Sequence, residues 1–370
     1  MTYSNYRFMM DGPPGPITVI NNKEMHYFGG VGYFQLHNHP EVIEAACEAT
    51  RKYGISSATS RAYTGMTPLH AAVEAKAAEF FDTEDAVYLP SGYLSNIAGM
   101  QALQDMGNVD VIYIDELAHY CNEDGALTTG LDVHRFKHND PESLRVLITE
   151  TLKFGEKPLI ATDGMFAVYG QLSYIPAFLD LADEFDGSVW VDDAHPSGIV
   201  GKNGRGSYEH YELDSPRLFF GSTLSKAFGG FGGIIPGSIE FTNNVRKVSV
   251  MTGSTQPPAA AAAASLKGIE LVIANPQFRE QLYDNARYLK TKLNEIGIHV
   301  PVNELPMTAF SFDTPEETNR IHNYLLDKGI FVQLSHYIGA HKSGVIRIVV
   351  FSTHTKEQID FLIQNLSAAL

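Results

Sequence analysis

Three short apolar segments of the sequence each end in residues that could take part in catalysis. The segments are AVYLP, SVWVDD and RLFFGS, at 86–90, 188–193 and 217–222. The residues at or just beyond their ends are Gly92, Asp192, His195, Thr223 and Lys226. Segments this apolar are typical of parallel strands that are buried on both faces. Because ligands of α/β proteins bind beyond the carboxyl ends of such strands, we expect these residues to share one site.

The types of these residues indicate a pyridoxal phosphate site. A lysine among small residues, such as Lys226, can form a Schiff base with an aldehyde. A carboxylate such as Asp192 keeps a pyridine nitrogen protonated, so that the ring accepts electrons from a carbanion. The helix that begins near Gly92 and Tyr93 offers N–H groups to a phosphate. Alone, Lys226 could be a surface lysine and Asp192 a helix cap, but their combination favours the cofactor.

Other catalytic motifs are missing or incomplete in the sequence. Neither HExxH nor CxxC occurs, and we interpret the histidine pairs 37/39 and 134/138 as solvated or core residues, so no metal site is expected. HPSGIVGKN lacks the first glycine of a P-loop, and GFGG gives only part of a dinucleotide-binding fingerprint. A serine hydrolase GxSxG motif is absent. Nucleotide-binding and serine hydrolase functions are therefore not supported.

The elements that would position these residues alternate along the chain. Strand and helix patterns follow each other from about 86 to 240, which indicates an α/β fold with a mostly parallel sheet. The C-terminal part differs, because long helical patterns there precede mixed strands and helices. We therefore predict a large α/β domain at 40–257 and a small α+β domain formed by 1–39 and 258–370.

Composition and charge narrow the class of protein further. The chain has 370 residues, 44% of them hydrophobic, and a net charge of −16, which disfavours binding to nucleic acids or anionic membranes. Its cysteines, Cys47 and Cys121, are too few for a disulfide framework and fit a reducing compartment. No apolar stretch is long enough to span a bilayer, and the N-terminus does not resemble a signal peptide. We expect a cytoplasmic protein.

Longer motifs around these residues resemble those of a known enzyme family. ATDGMFAVYG, VDDAHPSGIVGKNGRGS and GSTLSKAFGGFGG are similar to motifs of the α-oxoamine synthases, and the likeness extends from about residue 26 to the C-terminus. Within that family, the sequence most resembles the glycine C-acetyltransferases, with the 8-amino-7-oxononanoate synthases nearby. The resemblance implies a type I pyridoxal phosphate transferase fold and a homodimer with a shared active site. It also implies condensation of a small amino acid with an acyl-CoA.

The resemblance assigns roles to individual residues as well. Lys226 would hold pyridoxal phosphate and transfer protons, Asp192 would pair with the pyridine nitrogen, and His119 would stack on the ring. His195 would hydrogen-bond the phenolic oxygen of the cofactor, and Arg347 would bind the substrate carboxylate. The other implied cofactor contacts, from the phosphate loop, nearby hydroxyls and the partner subunit, are Gly92, Tyr93, Leu94, Thr162, Thr223 and Thr255, the last from the partner.

Several segments depart from the family pattern, mostly where substrates would bind. The family's NNYLGL is here GVGYFQL, with Gly32 for an asparagine and Gln35 for a glycine, and its FSMDG is here FAVYG. Tyr120 and Cys121 follow the histidine where the family has small residues. An aminotransferase or decarboxylase that uses the same cofactor in a changed pocket is therefore the alternative. A catalytically silent relative is a third hypothesis, against which the intact Lys226 argues.

Overall fold

The computed structural model describes residues 8–370, whose contacts form two compact units. The larger unit comprises His39–Ala167 and Gln171–Pro276, and the smaller comprises 8–38, Val168–Gly170 and Gln277–Leu370. Each unit has its own buried apolar cluster. Within the described range, no helix combines the length and the apolar character that crossing a membrane requires.

The strands and helices are as follows, in chain order. The strands are β1 (Ile17–Ile20), β2 (Lys23–Tyr27), β3 (Asp85–Leu89), β4 (Val111–Asp115), β5 (Asp132–Phe136), β6 (Pro158–Asp163), β7 (Met165–Phe166), β8 (Gln171–Leu172), β9 (Ser188–Asp192), β10 (Leu218–Thr223), β11 (Gly233–Gly237), β12 (Met307–Phe310), β13 (Ile330–Phe331), β14 (Gln333–Ser335) and β15 (Val345–Val349). The α-helices are α1 (Pro40–Tyr53), α2 (Arg61–Thr64), α3 (Pro68–Phe81), α4 (Gly92–Asp105), α5 (Tyr120–Thr129), α6 (Pro141–Thr151), α7 (Ile175–Glu184), α8 (Ser207–His210), α9 (Ile239–Val245), α10 (Ser249–Gly253), α11 (Ala259–Ala274), α12 (Gln277–Glu295), α13 (Pro315–Asp327) and α14 (Lys356–Ala369).

The larger unit is built on a seven-stranded sheet with the strand order β3-β11-β10-β9-β6-β4-β5. The strands from β10 to β5 in this order are parallel, whereas β11 is antiparallel to both of its neighbours. β4, β6 and β9 are buried along their whole length, as the continuous apolar segments indicate. The predicted α/β fold with a mostly parallel sheet is confirmed.

Helix α4 packs closely on the sheet because it carries a glycine where it crosses β9. A Cβ atom at Gly99 would lie 2.0 Å from the ring of Trp190, which is fully buried. One turn earlier, Asn96 accepts a hydrogen bond of 2.7 Å from Nε1 of Trp190. These contacts fix the first turns of α4 against the carboxyl end of β9, where Asp192 lies.

Helix α11 belongs to the larger unit, although the sequence analysis placed the domain boundary before it. The helix packs against α1 and α3, and its residues Ala259, Ala262 and Ala263 are buried. The division by contacts therefore falls after Pro276 and not after residue 257. An alanine-rich helix carries little sequence information about its packing partner, because its side chains are small and all alike.

The smaller unit combines two three-stranded sheets, β1-β2-β13 and β12-β15-β14, with helices α12, α13 and α14. On β15, Ile346 and Ile348 belong to the buried apolar cluster of this unit. Arg347 lies between them, and successive side chains of a strand point to opposite faces. The guanidinium is therefore on the face away from that cluster.

We predict that Gly99→Ala lowers the free energy of unfolding by about 1–3 kcal/mol, because the added methyl group overlaps the Trp190 ring. Denaturant unfolding, followed by the fluorescence of the single tryptophan, measures the change. Gly253→Ala is the matched control, since a Cβ there meets nothing within 4 Å. Equal stability of the two variants would contradict the close packing of α4 on β9.

Candidate active site

The carboxyl edge of the sheet in the larger unit borders a cavity of about 260 Å³. Among the residues predicted from the sequence, those that line it are Gly92, Tyr93, His119, Asp192, His195, Thr223 and Lys226. Further lining residues, which the sequence analysis did not propose as site residues, are Ser91, Cys121, Asp163, Met165, Ala194 and Ser225. Residues from strand ends that are far apart in the sequence therefore line one cavity, because the carboxyl ends of parallel strands lie at the same edge of the sheet.

Asp192 is the most heavily hydrogen-bonded acid of this cavity. Its side chain is at the end of β9 and is 8% exposed. Oδ2 accepts hydrogen bonds from the Asn96 amide at 2.9 Å and from the Cys121 thiol at 3.0 Å, and Oδ1 accepts one from the backbone N–H of Ala194 at 3.0 Å. These donors compensate for the water that the buried carboxylate has lost.

The orientation of the Asn96 amide is set from behind the site. Because Nε1 of Trp190 donates to Oδ1 of Asn96, the amide nitrogen must point towards Asp192. Sequence reasoning missed Asn96, although it stands in the SGYLSN segment that opens α4. The signal was the polar residue on a helix turn that otherwise packs on an apolar strand.

His119 is held in place at the N-terminus of α5. Its backbone N–H donates to Oδ1 of Asp163 at 3.0 Å, and its Nδ1 accepts from the backbone N–H of Cys121 at 3.1 Å. Burial lowers the pKa of the imidazole, and Lys226 lowers it further, against the opposing charge of Asp192. The ring is therefore predominantly neutral at pH 7. It lies edge to face with Tyr93, with ring centroids 6.0 Å apart.

Asp163 ends β6 directly beside Asp192, and the two are register partners in neighbouring strands. The Asp163 carboxyl group is 4% exposed and also accepts a hydrogen bond of 2.9 Å from the Asn122 amide. Burial and the neighbouring Asp192 hold the pKa of Asp163 well above its usual range. The pair therefore carries less negative charge than two ordinary aspartates would.

The opposite wall of the cavity is formed by two turns that approach each other closely. A Cβ atom at Gly92 would lie 2.7 Å from Cβ of Thr223, so the close approach requires glycine there. The Thr223 hydroxyl donates to the carbonyl oxygen of Gly232 at 2.8 Å and accepts from the backbone N–H of Ser225 at 3.2 Å. Lys226 follows this turn and lines the cavity.

Three of the predicted cofactor residues do not line the cavity. Thr162 is fully buried beside Ser173, and its neighbour Asp163 lines the cavity instead, because adjacent strand residues face opposite ways. Leu94 packs against the apolar cluster behind the sheet. Thr255 follows α10 and pairs with Ser60 through a β-bridge.

Arg347 belongs to the smaller unit, where its guanidinium is buried beside neutral side chains. The guanidinium is 5% exposed and contacts Oε1 of Gln333 at 3.1 Å and Sδ of Met307 at 3.7 Å. Burial lowers the pKa of Arg347, while the nearby Tyr33 and Tyr27 hydroxyls act in the opposite direction. An arginine side chain stays cationic at neutral pH even so, and a buried cation favours an anionic ligand.

The loop after β9 is anchored by a second buried acid, Asp193. Its carboxyl group accepts hydrogen bonds from the backbone N–H and the hydroxyl of Ser207. Glycine is required on both sides of it, because Cβ atoms at Gly164 and Gly206 would lie 2.1 and 1.8 Å from its oxygens. These contacts hold the segment that carries His195.

The donor set of the cavity fits pyridoxal phosphate. Asp192 offers a buried carboxylate for a protonated ring nitrogen, and Lys226 offers an amine for an aldehyde. The Gly92 turn opens helix α4, whose N-terminal N–H groups suit a phosphate. The flat neutral ring of His119 suits the face of an aromatic cofactor.

Comparison with known proteins agrees with this chemistry. A profile of the family described as aminotransferase class I and II matches residues 30–366. The 8-amino-7-oxononanoate synthase of Thermoanaerobacter pseudethanolicus is 33% identical over 356 residues, covering 95% of this chain and 89% of that protein. The serine palmitoyltransferase of Sphingobacterium spiritivorum is 32% identical over 355 residues, covering 94% and 87%.

Solved structures show the same fold. A high-resolution structure of serine palmitoyltransferase with its pyridoxal phosphate internal aldimine has a TM-score of 0.92 and 25% identity, and covers 98% of this chain and 92% of that one. The 8-amino-7-oxononanoate synthase of Francisella tularensis has a TM-score of 0.78 at 21% identity, covering 93% and 97%. At 21% identity, the likeness to the Francisella tularensis structure shows a shared fold alone.

These likenesses first define a class, the pyridoxal phosphate-dependent transferases with the type I fold. The chain belongs to the aminotransferase class I and II family and, within it, to the α-oxoamine synthases, which are C-acyltransferases. The predictions of family, fold and cofactor are confirmed.

The pKa of Asp193 leads to a prediction about stability and pH. Burial raises this pKa to about 7 from an ordinary value of 3.8. Because the native state binds the proton more tightly than the unfolded chain, the resulting stability is full below pH ~4 and is lost as the pH rises towards ~7. The quantity to follow is the difference in the free energy of unfolding between the unmodified protein and the Asp193→Asn variant. We expect this difference to fall as the pH rises over this range, by up to about 1.4 kcal/mol per pH unit.

Denaturant unfolding between pH 4 and 8 measures this difference, and the hydrogen bonds lost by the substitution add only a constant offset. Asp186→Asn is the control, because Asp186 is exposed and Arg217 lowers its pKa. Its difference should be small and of opposite sign, rising with pH. Parallel slopes for the two variants would refute the assignment to Asp193.

Proposed function

We propose that this chain condenses a small amino acid with an acyl-CoA to give an α-amino ketone. The observation that carries the proposal is that His119, Asp192 and Lys226 line one cavity at the carboxyl edge of the sheet. Relatives named for acyl transfer, such as serine palmitoyltransferase, support it over 87–89% of their length. The proposal includes a cytoplasmic homodimer, which the family resemblance and the reduced cysteines favour.

When bound, pyridoxal phosphate supplies an electron sink for the bonds at the substrate Cα. Asp192 would pair with its ring nitrogen and keep that nitrogen protonated. Asn96 and Cys121 both donate to Oδ2 of Asp192 and so hold the carboxylate in one orientation. The Trp190 indole fixes Asn96 in turn, so the whole arrangement is ready before a cofactor arrives.

Lys226 would hold the cofactor and move the proton at the substrate Cα. The turn from Thr223 to Ser225 is closed by its own hydrogen bonds, so the chain enters residue 226 in a fixed direction. Asp163 lies close enough to interact electrostatically with Lys226, and burial raises the pKa of Asp163 and so reduces its negative charge. A group that both gives and takes a proton needs such a balance.

His119 and His195 would act on the ring from two sides. The neutral imidazole of His119 would stack on the cofactor face, where an imidazolium would repel the protonated pyridine. His195 is 8% exposed on the loop that Asp193 anchors, and it would donate to the phenolic oxygen.

The phosphate would bind where α4 begins. Gly92 would supply a backbone N–H group at the positive end of the helix dipole, and Thr223 would supply a hydroxyl. The backbone N–H of Tyr93 donates to Oγ of Ser91 at 3.1 Å, so it would reach the phosphate only by leaving that serine. Leu94 and Thr162 would contribute through the helix and the strand that carry them. Thr255 would reach the phosphate of the partner subunit in the proposed homodimer.

Arg347 would bind the carboxylate of the amino acid. Gln333 contacts one guanidinium nitrogen and Met307 the other, so the fork of the side chain is fixed by neutral partners. A planar guanidinium binds a carboxylate in bidentate geometry, which orients the neighbouring Cα.

A second candidate, an aminotransferase on the same fold, is favoured by the changed segment at Gly32. A Cβ atom there would lie 2.6 Å from the ring of His37, whose Nε2 is 2.8 Å from the carbonyl oxygen of Pro14. The histidine thus takes the space that the family's asparagine side chain would need, so this part of the molecule differs from the family pattern.

The test is to incubate the purified holoenzyme with glycine, L-alanine or L-serine and a panel of acyl-CoAs. Release of free CoA that depends on the amino acid, detected with a thiol reagent, supports the proposal. Exchange of amine for keto acid without CoA release would establish the second candidate instead. No reaction of either kind, from protein that binds the cofactor, would contradict both.

We predict that Lys226→Ala loses covalent retention of pyridoxal phosphate and essentially all turnover, because Lys226 is the one lysine among the residues that line the cavity. Borohydride reduction followed by mass spectrometry of peptides measures the retention. Lys267→Ala, which removes a lysine paired with Glu270 on α11, should keep both properties. Full turnover of Lys226→Ala would show that the role is wrong.

We predict that Arg347→Gln raises the KM for the amino acid by about 10- to 100-fold, as expected for a lost hydrogen bond to a charged group. Cofactor affinity, measured by titration of the apoenzyme, should change little. Arg287→Gln is the control, since Arg287 is exposed and paired with Asp284 and Glu304. Loss of cofactor without a change in KM would overturn the role of Arg347.

A further inference from the structure

Three different donor groups converge beside the cofactor cavity. Nδ1 of His119, Sγ of Cys121 and a carboxylate oxygen of Asp192 all lie within 4.8 Å of one another. Sγ is 2.8 Å from Nδ1 and 3.0 Å from Oδ2. Cys121 is 2% exposed and Asp192 is 8% exposed, so these donors lie away from bulk water.

The protons available do not satisfy all of these contacts. Nδ1 of His119 accepts the backbone N–H of Cys121, so this nitrogen carries no proton, and a metal bound to its lone pair would replace that hydrogen bond. The thiol proton is then the only one that can lie between Sγ and Nδ1 or between Sγ and Oδ2. One proton therefore serves two short contacts, and a cation in its place would interact with all three donors at once.

The donor types are those that zinc prefers. Imidazole nitrogen, thiolate sulfur and carboxylate oxygen bind Zn²⁺ at about 2.0–2.3 Å, with a fourth position for water in an open site. Tetrahedral donors at these lengths are roughly 3.5 Å apart, so Sγ must move away from both partners by about half an ångström, which rotation of the Cys121 side chain supplies. Nδ1 and the Asp192 oxygen lie within 4.8 Å of each other and must adjust to the same spacing. Thiolate and carboxylate together balance the two positive charges of the metal.

We propose that the chain binds Zn²⁺ through His119, Cys121 and Asp192 when pyridoxal phosphate is absent, and that the metal and the cofactor compete. The competition follows because Asp192 serves both, and because His119 would lie against the cofactor ring. Binding replaces the thiol proton, which passes to the solvent. A protonated Lys226, which lines the same cavity, would oppose the cation and lower its affinity.

The test uses the full chain, stripped of pyridoxal phosphate and kept reduced with a phosphine, because thiol reductants bind zinc. Titration with Cd²⁺ should produce an ultraviolet thiolate-to-metal charge-transfer band that saturates at one metal per chain, and Zn²⁺ should displace it. Prior loading with pyridoxal phosphate should abolish the band. The same Cd²⁺ affinity with and without the cofactor would refute the competition.

Two cysteine variants separate this site from unspecific thiol binding. Cys47→Ala removes the exposed cysteine and should leave the titration unchanged. Cys121→Ser should weaken Cd²⁺ binding at least about 100-fold, because a hydroxyl is a poor ligand for a soft metal. The serine can still donate to Asp192, and a cooperative denaturant unfolding transition like that of the unmodified protein shows that the variant is folded. A band that persists in Cys121→Ser, or that is lost in Cys47→Ala, would overturn the proposal.

Discussion

The burial of one negative charge, the carboxylate of Asp192, is the constraint on which the site depends. A carboxylate removed from water is costly unless donors replace the lost hydration. The amide of Asn96, the thiol of Cys121 and the N–H of Ala194 do this on one side. The side that faces the cavity is left for a positive ligand, and this asymmetry is what makes the carboxylate functional.

The fold satisfies that constraint through close packing behind the sheet. Gly99 lets α4 lie against the Trp190 ring, which brings Asn96 within reach of both the indole and Asp192. Parallel pairing then places Asp163 beside Asp192, where two full charges would repel each other. Burial resolves the conflict by favouring the protonated form of Asp163. Packing, hydrogen bonding and proton affinity are thus consequences of one geometry.

The sequence predicts the strand ends well and the residues between them poorly. Asp192 and Lys226 follow apolar strands, so topology alone predicts that they meet. Asn96 and Cys121 lie on helices whose rotation depends on tertiary packing, which periodicity does not determine. The family motif names Thr162, but it does not indicate which face of the strand the residue occupies, and Asp163 is the neighbour that lines the cavity. The predicted domain boundary after residue 257 differs from the boundary that the contacts give after Pro276. The reason is that the sequence of the alanine-rich α11 does not indicate which unit the helix packs against.

The zinc donors escaped motif reasoning for a related reason. His119 and Cys121 are two residues apart, whereas Asp192 joins them only through the pairing of strands, so no spacing rule contains all three. Local sequence patterns alone therefore predict no metal site. Pyridoxal phosphate and Zn²⁺ nevertheless meet the same physical requirement, which is a positive charge beside Asp192. The protonated ring nitrogen supplies this charge in one case and the metal ion in the other. A site organised around a buried anion selects first for charge, and selectivity between the two must come from Lys226, the turn at Gly92 and the thiol.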